Sequence, residues 1–199
     1  MRIATPFMAT LALMTMVDAY AQAPPPPDPD NRSAEVTISD DALQFRYFTD
    51  AGKVGVDQGT LSFGAFLGEA RDVVLTAGLL VPFDFNLGRL DVRLGPQAYA
   101  ALLQDENSDV FALALGAQVR LPLAPSRNMA IVGTAYYSPD VTTFGSADNV
   151  TDLEARLELR VTRSIVGMIG YRWFELDLTD APTRRPQDEF FVGGRWLFD

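Results

Sequence analysis

From about residue 35 onward, apolar and polar side chains alternate with a period of two. The clearest stretch is 153–161. Leu153, Ala155, Leu157, Leu159 and Val161 share one face, and Glu154, Arg156, Glu158 and Arg160 share the other. A helix would scatter those charges around its axis. A strand sorts them into one apolar and one charged face. The same sorting sets Leu43, Phe45 and Tyr47 against Gln44, Arg46 and Phe48. It sets Leu90, Val92 and Leu94 against Arg89, Asp91 and Arg93. In 111–121 the apolar face opposes Ala112, Ala114, Gly116, Gln118 and Arg120; in 165–175 it opposes Val166, Met168, Gly170, Arg172 and Phe174. In 190–198, Phe190, Val192, Gly194, Trp196 and Phe198 oppose Phe191, Gly193, Arg195 and Leu197.

Turn-rich connectors separate these runs, as in an antiparallel up-and-down meander. The pattern predicts strands over 41–49, 58–68, 72–84, 87–102, 108–121, 128–138, 152–163, 165–178 and 189–198, with 35–39 as a short tenth. The expected fold is all-β: a closed antiparallel barrel of ten strands, or of eight if the first run is only a lid. Even strand number is the rule for bacterial single-chain barrels. With both strand termini in the periplasm, 138–152 and 179–188 become outer loops, and 122–128 and 162–164 become periplasmic turns.

Ahead of the meander, residues 1–23 combine Arg2, a mostly apolar run from Ile3 to Val17 and a small-residue site at Ala21-Gln22-Ala23. They read as a secretory signal peptide cleaved after Ala23. Residues 24–34, with four successive prolines and Pro29, read as a stiff exposed leader, which leaves 35–199 as the barrel domain.

An alternating meander has two homes. A soluble lipocalin-like barrel turns its apolar faces inward, whereas a membrane barrel turns them to lipid. Three features favour the membrane. The polar faces carry small residues suited to a narrow interior, among them Ser62, Gly64, Thr76, Gly78 and Gly116. The cations are arginines apart from Lys53, and several alternate with Glu, as a confined network of forked hydrogen bonds requires. Tyr136, Tyr137, Tyr171, Trp173, Trp196 and Phe198 stand near strand ends, where a membrane-interface girdle would lie.

Composition narrows the function. The chain has no Cys and no His, so thiolate nucleophiles, disulfides, Ser-His-Asp triads and HExxH zinc sites are excluded. A net charge of −10 argues against nucleic acid. No catalytic residue, metal or cofactor is expected. Asp105–Asp109, or Asp148 with Asp152, offer oxygen ligands of the kind Ca²⁺ accepts, but acidic loops on such a chain are ordinarily solvated. The expected lumen is a network of Arg46, Asp91, Arg93, Arg120, Glu154, Arg156, Glu158, Arg160, Arg172 and Arg195. Paired, these charges plug the barrel. In excess, seven Arg against three acids, they would line a narrow anion-preferring pore.

Some local sequences are familiar. Tyr136-Tyr137-Ser138-Pro139-Asp140, Leu153-Glu154-Ala155-Arg156, Gly170-Tyr171-Arg172 and Phe191-Val192-Gly193 together resemble the YfaZ family of bacterial outer-membrane proteins. The resemblance covers about residues 35–198. It implies a small outer-membrane β-barrel and supplies no catalytic residues. The expectation is therefore a monomeric barrel in the outer-membrane bilayer, inserted by the barrel-assembly machinery. Its expected role is structural or surface-interacting; the narrow pore and the secreted lipocalin-like binder are the alternatives.

Overall fold

In the computed structural model the described residues are 32–68, 72–83, 90–103, 108–123, 128–179 and 182–198. The expected signal peptide, residues 24–31 of the proline-rich leader, and 104–107 of the first acidic loop lie outside them.

The strands are β1 (Ser33–Ser39), β2 (Ala42–Asp50), β3 (Thr60–Gly68), β4 (Val73–Pro82), β5 (Asp91–Leu103), β6 (Ser108–Leu123), β7 (Met129–Ser138), β8 (Thr143–Gly145), β9 (Ala147–Arg160), β10 (Ile165–Leu178) and β11 (Arg184–Leu197). Every neighbour is antiparallel. β1 pairs with both β2 and β11, and β5 pairs with β6, so the sheet closes on itself. Ten strands form the barrel. The three-residue β8 adds to the upper part of β6, from Val110↔Gly145 to Ala112↔Thr143, beyond the point where β7 stops. Closure leaves no long edge unpaired among the described strands, which is the condition for crossing a bilayer with strands.

Side-chain direction follows the alternation. Leu43, Phe45, Phe63, Leu75, Leu113, Leu115, Ile131, Ile169, Val192 and Trp196 are exposed on the outside. Ser33, Glu35, Thr37, Gln44, Arg156 and Glu158 are buried inside. This orientation overturns the lipocalin-like alternative, which needed the apolar faces inward.

The barrel has a near end, where β1 begins and β11 finishes, and a far end. At the far end the strands run further than the alternation predicts. β9 starts at Ala147 and β11 at Arg184, so that, with β8, most of the expected outer loop 138–152 and half of 179–188 is strand. β10 ends at Leu178, as the alternation predicts, and shows how the surroundings change along a strand. From Ile165 to Trp173 the outward positions are Ile165, Gly167, Ile169, Tyr171 and Trp173. Beyond them the outward positions are Glu175 and Asp177, and the inward ones are Phe174, Leu176 and Leu178, which are buried. The pleat keeps its phase while the solvent outside changes from lipid to water, so the outward positions change from apolar to acidic and the inward ones become large and apolar. On β9 and β11 the corresponding positions, Asp148-Asn149 and Arg184 to Asp188, are mostly polar and read as loop.

Candidate functional site

The site is the lumen. It is filled in layers, each set by which strands bring inward positions to the same height.

The middle layer is charged. Val36, on the outer face of β1, leaves Glu35 pointing in. Glu35 is only 1% exposed and accepts bonds from two neighbouring strands. Arg46 on β2 donates through Nε at 2.6 Å. Arg195 on β11 donates through Nε at 3.0 Å and Nη2 at 2.7 Å. Across the lumen, β9 presents Glu154, Arg156 and Glu158 at successive inward positions. Arg156 pairs with Glu154 and reaches Glu158 through Nε at 2.9 Å. Arg46 also reaches Glu154 at 3.0 Å, Arg195 reaches Glu158 at 3.2 Å, and Arg120 from β6 pairs with Glu158. Four guanidiniums and three carboxylates thus form one connected cluster that joins β1, β2, β6, β9 and β11. Each carboxylate meets more than one Arg, the condition under which burying such charges is tolerable.

Toward the far end, Arg172 holds Asp152 in a bidentate pair, Nε to Oδ1 at 2.9 Å and Nη2 to Oδ2 at 2.8 Å. Tyr99 donates its hydroxyl to the same carboxylate at 2.9 Å. The Arg172 guanidinium lies over the Phe174 and Phe66 rings, 5.1 and 5.6 Å from their centroids. The Tyr99 ring stacks on Phe174 at 5.7 Å. Above this pair one side of the lumen is apolar, where Phe66, Val74, Ala101, Leu103, Val110, Val150, Phe174, Leu176 and Leu178 belong to one buried cluster, while Thr37, Gln44, Gln187 and the Arg184–Asp72 pair bring polar groups to the same end. Toward the near end, Arg93 lies 3.4 Å from Asp91 and donates to Thr60 Oγ1 at 3.0 Å. A cavity of about 30 Å³ among Ser33, Phe48, Arg93, Arg120 and Arg195 has room for about one water molecule.

The ten expected lumen residues therefore divide. Arg46, Arg120, Glu154, Arg156, Glu158 and Arg195 meet in the central cluster. Arg172 belongs to the layer above it, and Asp91 with Arg93 to the layer below. Arg160 stands apart at the near end, where its guanidinium bonds the Arg163 carbonyl at 3.4 Å. Sequence reasoning missed Glu35, although the run Glu35-Val36-Thr37-Ile38 alternates and placed Glu35 on a polar face. It placed Asp152 at the junction of a loop and a strand and weighed it only as a Ca²⁺ ligand, whereas Asp152 is buried and engaged by Arg172. Both additions are acids, so the excess of Arg behind the anion-pore reading shrinks. The apolar layer was not foreseen at all.

Among the expected interface aromatics, Tyr137, Trp196 and Phe198 are exposed on the outside, near strand ends. Tyr171 and Trp173 also face out, at the height where β10 turns polar. Tyr171 donates to Asp188, and Arg185 lies 6.0 Å from the Trp173 ring centroid while pairing with Glu175 at 2.6 Å. Tyr136 departs from expectation. It is 4% exposed and faces the lumen. Adjacent residues on a strand point to opposite faces, so only one of Tyr136 and Tyr137 can meet lipid, and Tyr136 shares its parity with Val132 and Ser138, both buried inside.

A closed barrel with an apolar outer belt is the surface of a transmembrane barrel, a class at home in the bacterial outer membrane. Among solved structures, a bacterial polysaccharide outer-membrane secretin is similar at 12% identity and a TM-score of 0.47, over 79% of this chain and 56% of that one. The outer-membrane channel DcaP of Acinetobacter baumannii is similar at 11% identity and a TM-score of 0.39, over 82% of this chain and 54% of that one. The chain thus spans little more than half the length of each. A search of curated proteins gives no match. The family model described as YfaZ precursor matches residues 45–198, most of the barrel, and the chain belongs to the YfaZ family.

Proposed function

We propose that the protein is a closed barrel with a structural or surface-interacting role in the outer-membrane envelope, inserted as a monomer by the barrel-assembly machinery. The observation that carries this reading is the filling of the lumen by two unlike layers. An ion would have to displace a connected cluster of Arg and Glu side chains and then pass the packed far end, where Phe174 and Leu176 lie beside the bonded Gln187 and the Arg184–Asp72 pair. An Arg-lined pore needs a continuous wet path, and a desolvated apolar layer is a barrier to ions of either sign. Among the described residues, what remains available for contact is the outer surface: the lipid-facing belt and the polar rim of β9, β10 and β11 above it.

Planar-bilayer recording tests the proposal. Purified wild-type protein, folded by the criterion of a heat-dependent shift in gel mobility, should give no steady conductance. Reproducible openings with anion preference would overturn it in favour of the pore.

A further inference from the structure

The outer wall of the barrel is recessed at one place. Two adjacent rows of cross-strand partners run around it: Ala117↔Ala135↔Leu153↔Trp173 and Val119↔Gly133↔Ala155↔Tyr171. These positions all face outward. Ala117, Gly133, Ala135 and Ala155 have little or no side chain, while Tyr171 and Trp173 are large. The result is an apolar groove of about 610 Å³ on the lipid-facing surface. A Cβ built on Gly133 would meet nothing within 4 Å, so the recess is open at its floor.

We propose that this groove is a binding site for one acyl chain of a membrane lipid, with the headgroup at the polar rim formed by Tyr171, Asp188 and Arg185. The inference goes beyond the closed-barrel reading and does not depend on it, since the groove lies outside the lumen. Three observations select the occupant. The groove is continuous with the apolar belt, so whatever fills it comes from within the bilayer. Its floor and walls are apolar, yet one end meets the Tyr171–Asp188 hydrogen bond and the Arg185–Glu175 ion pair, an arrangement that matches an amphiphile. A volume of this size is ordinary for a ligand site, and leaving it unfilled would forfeit the dispersion contacts of its lining. A second copy of the chain fits poorly. A two-fold dimer sets the same patch against itself, and two apposed concavities leave a void.

Trp173 is the built-in reporter. The chain has two tryptophans, so Trp196→Phe leaves Trp173 alone. In vesicles of dioleoyl phosphatidylcholine mixed with phosphatidylcholine brominated on the acyl chain, a chain in the groove quenches Trp173. Filling the recess with Gly133→Leu plus Ala135→Leu should reduce that quenching about twofold, because the added side chains take the acyl chain's place against the ring. The same change should remove lipid that co-purifies with the detergent-extracted barrel in native mass spectrometry. Heat-dependent gel mobility establishes that each variant is folded; if the double variant fails, Gly133→Val serves. Equal quenching in filled and unfilled folded barrels, with no retained lipid in either, overturns the proposal. So does a cross-linked dimer in which Trp173 is shielded from brominated lipid.

Discussion

Glu35 tests whether the central cluster is a connected unit. It is buried on β1 and bonded by Arg46 and Arg195, with Arg156 3.9 Å away. Glu35→Ala leaves four guanidiniums facing two carboxylates at that height. Removing one partner from a buried ion pair costs about 3–5 kcal/mol, because the charge left behind is desolvated and unpaired. Arg195→Ala removes a donor shared by Glu35 and Glu158 and should cost a similar amount. The double variant removes the unmatched charge together with its partner. It should therefore be less unstable than the two single costs predict, by at least about 1 kcal/mol. The assay is reversible urea unfolding in lipid vesicles, followed by tryptophan fluorescence, with the slope checked for constancy across variants. If the two changes add to within about 0.5 kcal/mol, the residues are independent and the network account is refuted.

Other consequences are simpler to state. Arg156→Ala with Arg160→Ala should stay closed in planar bilayers, because Arg160 lies outside the cluster and the apolar layer persists. Adding Tyr99→Ala and Phe174→Ala should produce conductance, and openings from the first pair alone would show that the charges were the sole barrier. Gly95→Ala should cost about 1–3 kcal/mol or abolish folding, since its Cβ would fall 1.8 Å from the Leu79 carbonyl oxygen, whereas Gly133→Ala should be tolerated in the same unfolding assay. Ile169→Arg places a charge on the lipid-facing wall and should cost about 2–4 kcal/mol, while Asn149→Arg, outward on the far extension of β9, should cost about 0–1 kcal/mol. Equal costs would misplace the edge of the belt.

Much of the fold was legible because strand alternation is a local property. Leu153 to Val161 displays both faces without reference to anything distant, and nine of the runs could be read in that way. The tenth was legible too, yet its acid was overlooked: Glu35 sits in a short run whose partners, Arg46 and Arg195, stand at opposite ends of the sequence. Nothing local says that β1 closes the ring between β2 and β11. Asp152 was misread for a related reason. It lies where β9 leaves the membrane belt, and neighbours such as Asp148, Asn149 and Thr151 look like loop. Its partner Arg172 is 20 residues away, set opposite Glu154 and Glu189 by register rather than by sequence. The paired aromatics Tyr136 and Tyr137 failed as a unit because a strand divides neighbours between two solvents.

The change in surroundings along β10 has an energetic consequence that can be measured. Within the belt, an outward Ile169 is surrounded by acyl chains whether or not the residue is large. Truncating it to Ala loses contacts that lipid can replace, so Ile169→Ala should cost under about 1 kcal/mol. Five residues on, Phe174 points inward where the outer wall meets water. There its burial stabilises the barrel by the hydrophobic effect, as in a soluble protein, and it is fully buried against Tyr99 and Phe66. Phe174→Ala should cost about 3–5 kcal/mol, because no lipid can enter the space it leaves. Unfolding in vesicles measures both on one scale. A large loss at Ile169 with a small one at Phe174 would mean that the belt ends elsewhere and that the apolar layer is not a core. The expected order instead describes one strand crossing two solvents, stabilised by its outside neighbours in one half and its inside neighbours in the other.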